Sequence, residues 1–206
     1  MNPIAEQLNE AISRANPRLA EMLSEVGRNL FFPKGILSQS AEAKEKATRL
    51  NATIGIAREG DGAMVLPSVM SSVSGLAPEE SMTYAPSFGI SDLRRNWQES
   101  LYTKNPSLAG KAVSLPVVTN GITHGISTFA DVWTDPGDVV IIPDMMWGNY
   151  SMIFNVRNKV RLSHYPIFDK NGGYNVEGLV ECARKEAADN QKITVLLNFP
   201  HNPTGY

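Results

Sequence analysis

Three short segments hold side chains whose types and spacing could do chemistry. NFPHNPTGY, residues 198–206, places Asn202 in a loop whose path is set by two prolines and a glycine. An amide held this rigidly can present itself to a ligand. TNGITHG, residues 119–125, sets Gly121 ahead of Ile122 and Thr123 where a helix is predicted to open. Free backbone N–H groups and a hydroxyl at a helix start suit a phosphate. PDMMWGNY, residues 143–150, puts Trp147 in a loop, where an indole can stack on a flat ligand ring. Each segment also has a plainer reading: a stiff turn, an ordinary helix start, and a tryptophan plugging the core beneath a loop. His124, His164 and His201 are dispersed, and with Cys182 they offer no metal-ligand spacing. Ser127 and Ser151 lack a nucleophile-elbow context.

The elements that must position these residues can be read from the pattern. AVSLPVV, DVVIIP, KVRLSHY and ITVLLNF are apolar, strand-like runs, and between them GITHGISTFADVW, GNYSMIFNVR and NVEGLVECARKEAAD have helical spacing. Alternation of this kind predicts βαβ units and a mostly parallel sheet with helices on both faces, an α/β fold. Each chemically interesting segment follows a predicted strand, and open parallel sheets bind ligands outside the carboxyl ends of their strands. Ahead of this part the chain reads as helical. Ile4, Leu8 and Ile12 repeat at helical spacing behind Asn2 as cap and Pro3 as first residue, and Pro17 opens a second stretch from Leu19 to Leu30. SQSAEAKEKATRL is a polar helix, and NATIGIA, residues 51–57, is β-branched and ends in the turn cluster REGDG. Pro67 to Ser74 is a short helix, a Pro/Glu loop follows, and Ser91 is expected to cap a helix running to about Leu101.

Composition narrows the function classes. The 206 residues are 42% hydrophobic and 19% charged, enough for a sizeable core. A net charge of −2 argues against a nucleic-acid binder acting through bulk charge. The single cysteine, Cys182, cannot form an internal disulfide, which favours a reducing compartment. No apolar run reaches the roughly 18 residues of a membrane helix, and the N-terminus lacks an apolar signal core, so a cytoplasmic protein is expected. HNPTGY directly follows a buried strand, so residues 1–206 are expected to be the front part of a longer protein.

These segments together resemble the class I/II aminotransferases, fold-type I pyridoxal-phosphate enzymes, and within them the aspartate and aromatic group. HNPTGY is similar to the NPTG signature, NATIGIAREGDGAMVLPSV to the family's stretch ending in valine-leucine-proline, and YAPSFGISDLR to its tyrosine-x-proline-x-x-glycine segment. TNGIT matches the phosphate-loop position and WGNY the ring-stacking tryptophan, so the resemblance spans residues 51–206 in the family's order. It implies an N-terminal arm and part of a small domain in residues 1–62, and an incomplete large domain binding pyridoxal 5'-phosphate in residues 63–206.

The resemblance also implies roles. Ile122 and Thr123 would bind the cofactor phosphate, Trp147 would stack on the pyridine ring, and Asn202 would hydrogen-bond the ring's phenolic oxygen. Tyr84 would reach the phosphate of a neighbouring subunit, implying a homodimer, and Gly55 would lie where the small domain closes over the substrate carboxylate. A cis peptide before Pro203 would aim Asn202. Ala57 and Met145 depart from the family pattern, replacing an aromatic and a proline. The Schiff-base lysine is expected beyond Tyr206, which would leave this fragment inactive by itself. The implied activity is amino transfer between an amino acid and a 2-oxo acid. The same motifs would serve a lyase or synthase, and a third reading is a non-catalytic binding module of the same fold.

Overall fold

The computed structural model describes residues 1–31, 36–51, 53, 57–60 and 62–206. Among them, in chain order, are α1 (Pro3–Ala15), α2 (Pro17–Met22), α3 (Glu25–Asn29), α4 (Ile36–Lys46), β1 (Arg58–Glu59), β2 (Gly62–Ala63), α5 (Pro67–Ser72), α6 (Pro78–Ser81), α7 (Ser91–Lys104), a 3-10 turn (Pro106–Leu108), α8 (Gly121–Trp133), β3 (Val139–Pro143), a π-helical segment (Ser151–Arg157), β4 (Arg161–Tyr165), α9 (Val176–Asp189) and β5 (Ile193–Val195). They fall into two compact units, one of residues Met1–Gln39 and Ile122–Tyr206, the other of Ser40–Gly121.

The first unit has the expected α/β character. β3 is central in a three-stranded sheet of order β4-β3-β5, and both pairings are parallel, with Val139 opposite Arg161 and Ile193. All five residues of β3 are buried, so both faces of this strand are covered. Because side chains alternate across a strand, its two residue sets serve different cores. Val140 and Ile142 pack with Ala130 of α8 and with Tyr150, Ile153, Phe154 and Val160. On the other face lies α9, where Ser163 Oγ donates to Glu186 at 2.7 Å and lies 3.4 Å from Cys182 Sγ.

Glu186 also accepts a two-pronged contact from Arg161, at 3.0 and 2.5 Å. The Glu186 side chain is 8% exposed and that of Arg161 52%. The guanidinium first, and the Ser163 hydroxyl second, lower the Glu186 carboxyl to about 2. A carboxyl depressed on folding stabilises above its unfolded value, about 4.3, and loses that contribution as pH falls through the folded one. Discounted for the solvent around Arg161, this is on the order of 2 kcal/mol. Urea midpoints at pH 7 and pH 3 are therefore expected to differ more for the wild type than for Glu186→Gln. Equal pH slopes in the two proteins would contradict it.

The N-terminal helices are as the sequence leads one to expect, with one break. Asn2 Oδ1 accepts from the Ile4 N–H at 2.9 Å and Pro3 opens α1. Asn16 caps α2, accepting from Arg18 and Leu19. The stretch from Leu19 to Leu30 is two helices, because Ser24 leaves helical geometry and its hydroxyl accepts from Gly27 N–H at 3.0 Å. GNYSMIFNVR is helical, but Ser151–Arg157 winds as a π-helix.

The second unit differs more from expectation. AVSLPVV is not a strand. α7 side chains hold that segment instead: Arg94 Nε donates to Pro116 O at 2.6 Å, Gln98 Nε2 to Val113 O at 2.6 Å, and Tyr102 bridges Lys111 O and Val113 N–H. Pro116 also removes a ladder donor. Ser91 is the first residue of α7 rather than its cap, which is Ile90, without a side-chain bond. The loop after α5 contains one extra helical turn, α6. Arg58 lies opposite Ala63 and Glu59 opposite Gly62 in an antiparallel pair. Most of NATIGIA lies outside the described residues.

Candidate functional site

The three parallel strands point the same way, so the loops after Pro143, Tyr165 and Val195 share one edge. The opposite edge is identified by Lys192, just ahead of β5. Its ammonium contacts Asp138, just ahead of β3, at 2.6 Å, and donates to Trp133 O at the end of α8 at 3.1 Å. A hydrogen bond from the Asp135 backbone and the Lys192 ammonium hold Asp138 below the usual carboxylate range. With its C-terminus fixed there, α8 rises about 20 Å toward the carboxyl edge. Ile122 and Thr123 therefore open the helix on the side where the strand ends lie.

At that start Gly121 has φ of 76°, and a Cβ there would meet nothing within 4 Å. Ile122 is 70% exposed, and Thr123 is exposed as well. First-turn N–H groups have no acceptor within their own helix, and here Gly121 N–H donates to Thr119 O at 2.9 Å, just ahead of the exposed Ile122 and Thr123.

The loop after β3 is tied down by Asp144. Its Oδ1 accepts from Met145 N–H at 2.8 Å and Ile167 N–H at 3.0 Å, and its own N–H donates to Tyr165 O at 2.8 Å. β3 and β4 are thereby joined where they end. Met145, which departs from the family's proline, sits inside this bonded turn. Trp147 follows, half-buried, with its ring 5.4 Å from that of Tyr150 and edge-on at 89°. It packs against the cluster of Val140, Ile142 and Phe154, as does Ile126, one turn along α8 from Thr123. The plugging role and an accessible ring are thus compatible in one side chain.

The loop after β5 folds back on itself. His201 N–H donates to Tyr206 O at 2.9 Å and Gly205 N–H to His201 O at 2.6 Å. The peptide bonds before Pro200 and Pro203 are both cis. Asn202 is exposed at the tip of the turn, and His201 is buried beneath it. Tyr206 docks the turn on the β4–α9 connection, its ring stacked at 26° on that of Tyr174 and its hydroxyl accepting from Tyr174 N–H at 3.3 Å. Tyr174 also meets Phe199 edge-on, at 5.3 Å, and its hydroxyl is 2.7 Å from that of Tyr165. Burial and this hydrogen bond push the Tyr165 phenol up, so it remains protonated.

Ile122, Thr123, Trp147 and Asn202 accordingly belong to segments that open on the same sheet edge. Tyr84, in the other unit, is fully exposed. Gly55 lies outside the described residues. Sequence reasoning passed over Asp144, His201 and Tyr206 as site-building residues. A histidine or aspartate in a loop has no periodicity to mark it. Among the described residues, no group of three histidine, cysteine or acidic side chains could hold a metal. No helix of the described residues is long and apolar enough to cross a membrane.

The family model for aminotransferase class I and II matches residues 49–206. The chain belongs to this family. Solved structures agree in fold. An aminotransferase from Anaerococcus prevotii shares 24% identity at a TM-score of 0.75, over 90% of this chain and 46% of that one. An alanine aminotransferase from Pyrococcus furiosus shares 18% at 0.65, over 89% and 45%. A Thermus thermophilus aspartate aminotransferase mutant shares 19% at 0.60, over 88% and 46%. The chain thus spans about half the length of these aminotransferases. No curated protein sequence matches it.

Class I and II aminotransferases generally use pyridoxal phosphate, and the residues at this edge fit that group. The exposed Ile122 and Thr123 at the start of α8, with the threonine hydroxyl, suit its phosphate. The half-buried indole suits its ring, and an exposed amide on a closed turn suits its phenolic oxygen.

Proposed function

We propose that the protein is a pyridoxal-phosphate-dependent aminotransferase, moving an amino group between an amino acid and a 2-oxo acid. What supports this most is that a helix start, an indole and an amide on a closed turn belong to segments at one edge of a parallel sheet. Thr123 and the N–H groups of Ile122 and Thr123 would hold the phosphate, and the helix dipole adds to the attraction. Trp147, braced by Tyr150, would fix the plane of the ring. Asn202 Nδ2 would donate to the phenolic oxygen and favour its ionised form. The cofactor, when bound, supplies an electron sink for charge developing at the amino acid's α-carbon. No lysine among the described residues is assigned to hold it covalently.

Tyr84 and Gly55 remain part of the proposal, as does a homodimer in which Tyr84 serves the neighbouring subunit. Its full exposure in this chain is consistent with such a reach. A cytoplasmic location and a domain boundary near residue 62 complete the reading.

The experiment is to purify the full-length protein with pyridoxal phosphate and offer it a panel of amino acids with and without 2-oxo acids. Amino transfer that requires the 2-oxo acid is expected. Release of ammonia or a β-substituent without one would instead make it a lyase, and no spectral response to any amino acid would favour a binding module. In the same protein, Asn202→Ala is expected to weaken cofactor affinity about tenfold or more, the scale of one hydrogen bond to a charged oxygen. Titration of the apoprotein with pyridoxal phosphate measures it, and unchanged affinity would remove Asn202 from the site.

A further inference from the structure

We infer that His201 is the positioning residue that aims the Asn202 amide, a role that rests on the cofactor reading above. In the turn from 201 to 206, His201 is 5% exposed, whereas Asn202 and Pro203 at the tip are exposed. Burying an imidazole is costly unless its polar atoms are satisfied, so the turn is built around it. Three bonds converge on this residue. Its N–H and C=O close the turn against Tyr206 O and Gly205 N–H, and its Nδ1 lies 2.8 Å from Thr204 Oγ1. Whichever tautomer the ring holds, Nδ1 and the hydroxyl make a donor–acceptor pair. The threonine oxygen also accepts from Tyr206 N–H at 3.4 Å, so the ring is linked through Thr204 to the arm docked on Tyr174.

Among the described residues, no side-chain hydrogen bond holds Asn202, which is positioned through its chain neighbours. His201 precedes it and Thr204 lies two residues beyond, so the His201–Thr204 bond ties together the two sides of the turn that carries the amide. With this bond, the amide is presented in one direction. Without it, the backbone closure remains but the tip gains freedom, and a loosely held donor contributes less to binding.

The geometry also says which replacements should work. Nδ1 of histidine is three bonds from Cα, as are the side-chain oxygen and nitrogen of asparagine. His201→Asn can therefore keep the bond to Thr204, and His201→Ala cannot. Thr204→Val breaks the same bond from the other side while preserving shape, and it also removes the long contact from Tyr206 N–H, so it is read together with His201→Ala.

The test uses the full-length protein. Hydrogen exchange of the apoprotein, followed on the peptide covering residues 199–206, reads the turn without cofactor. His201→Ala and Thr204→Val are each expected to accelerate exchange there about five- to tenfold, the scale of one lost hydrogen bond, and His201→Asn to stay within about twofold of wild type. In the loaded protein, the pH midpoint of the visible cofactor absorption should shift in the same direction for His201→Ala, Thr204→Val and Asn202→Ala, and return toward wild type in His201→Asn. A role in fold stability alone would lower the urea midpoint and leave the absorption titration in place, and that outcome would overturn the inference. So would unchanged exchange in Thr204→Val, the milder variant, even if His201→Ala fails to fold. If Asn202→Ala leaves the absorption untouched, the cofactor reading fails. If it shifts the absorption but the His201 and Thr204 variants do not, only the present inference fails.

Discussion

Gly89→Ala is expected to destabilise the protein by about 3 kcal/mol, the sum of two separate costs of roughly 1–2 kcal/mol each. Gly89 has φ of 96°, a conformation that residues with a Cβ rarely adopt. A Cβ there would also overlap Val118 Cγ2 and lie 2.5 Å from Val118 Cβ. Valine cannot rotate its own Cβ out of the way, so either the backbone or the whole side chain must move. Gly89 N–H donates to Pro86 O at 2.8 Å and Val118 N–H to Phe88 O at 3.0 Å, which oppose that movement. Urea denaturation of Gly89→Ala, Val118→Gly and the double variant separates the two costs, because alanine at 118 would keep the overlapping Cβ. The double variant should recover the overlap but retain the cost of the positive φ. A Gly89→Ala protein as stable as wild type would show that this approach of residues 88–89 to Val118 can open cheaply.

Trp147→Ala is the second large effect, because the residue joins the core to the proposed ring site. Removing a half-buried indole from the cluster with Tyr150, Val140 and Phe154 is expected to cost about 2–3 kcal/mol. Loss of stacking should in addition weaken pyridoxal phosphate binding about fivefold to tenfold. Trp147→Phe keeps an aromatic face and part of the packing, so it should recover most of the affinity and about half of the stability. Denaturant midpoints report the first loss and apoprotein titration the second. If Trp147→Ala is destabilised but binds the cofactor as tightly as wild type, the indole is a core plug alone.

Much of the chemistry was legible because it rests on local patterns. Asn2–Pro3 and Asn16–Pro17 announce helix starts through a side-chain acceptor and a ring that needs no donor, and both helices begin there. DVVIIP is apolar without alternation, as a strand covered on both faces must be, and β3 is buried throughout. NPTG and its companion segments mark the family because their residue types are demanded by the loops they form. By contrast, VSLPVV has the composition of a strand, and its fate was decided by partners. Arg94, Gln98 and Tyr102 lie on one side of α7 and take up its backbone groups, which no reading of those residues alone could disclose.

The sequence by itself determined the α/β alternation, the helical lead and the order of the three chemically interesting segments, since periodicity, capping and turn chemistry act over a few residues. Only the tertiary structure decided that Lys192 anchors the far end of α8, that Asp144 ties β3 to β4, and that the turn carrying Asn202 closes over a buried His201 and docks through Tyr206 on Tyr174. Those contacts join residues up to 59 positions apart. Their existence depends on the parallel register that brings strand ends to a common edge, and a register is a property of the assembled sheet rather than of any one segment.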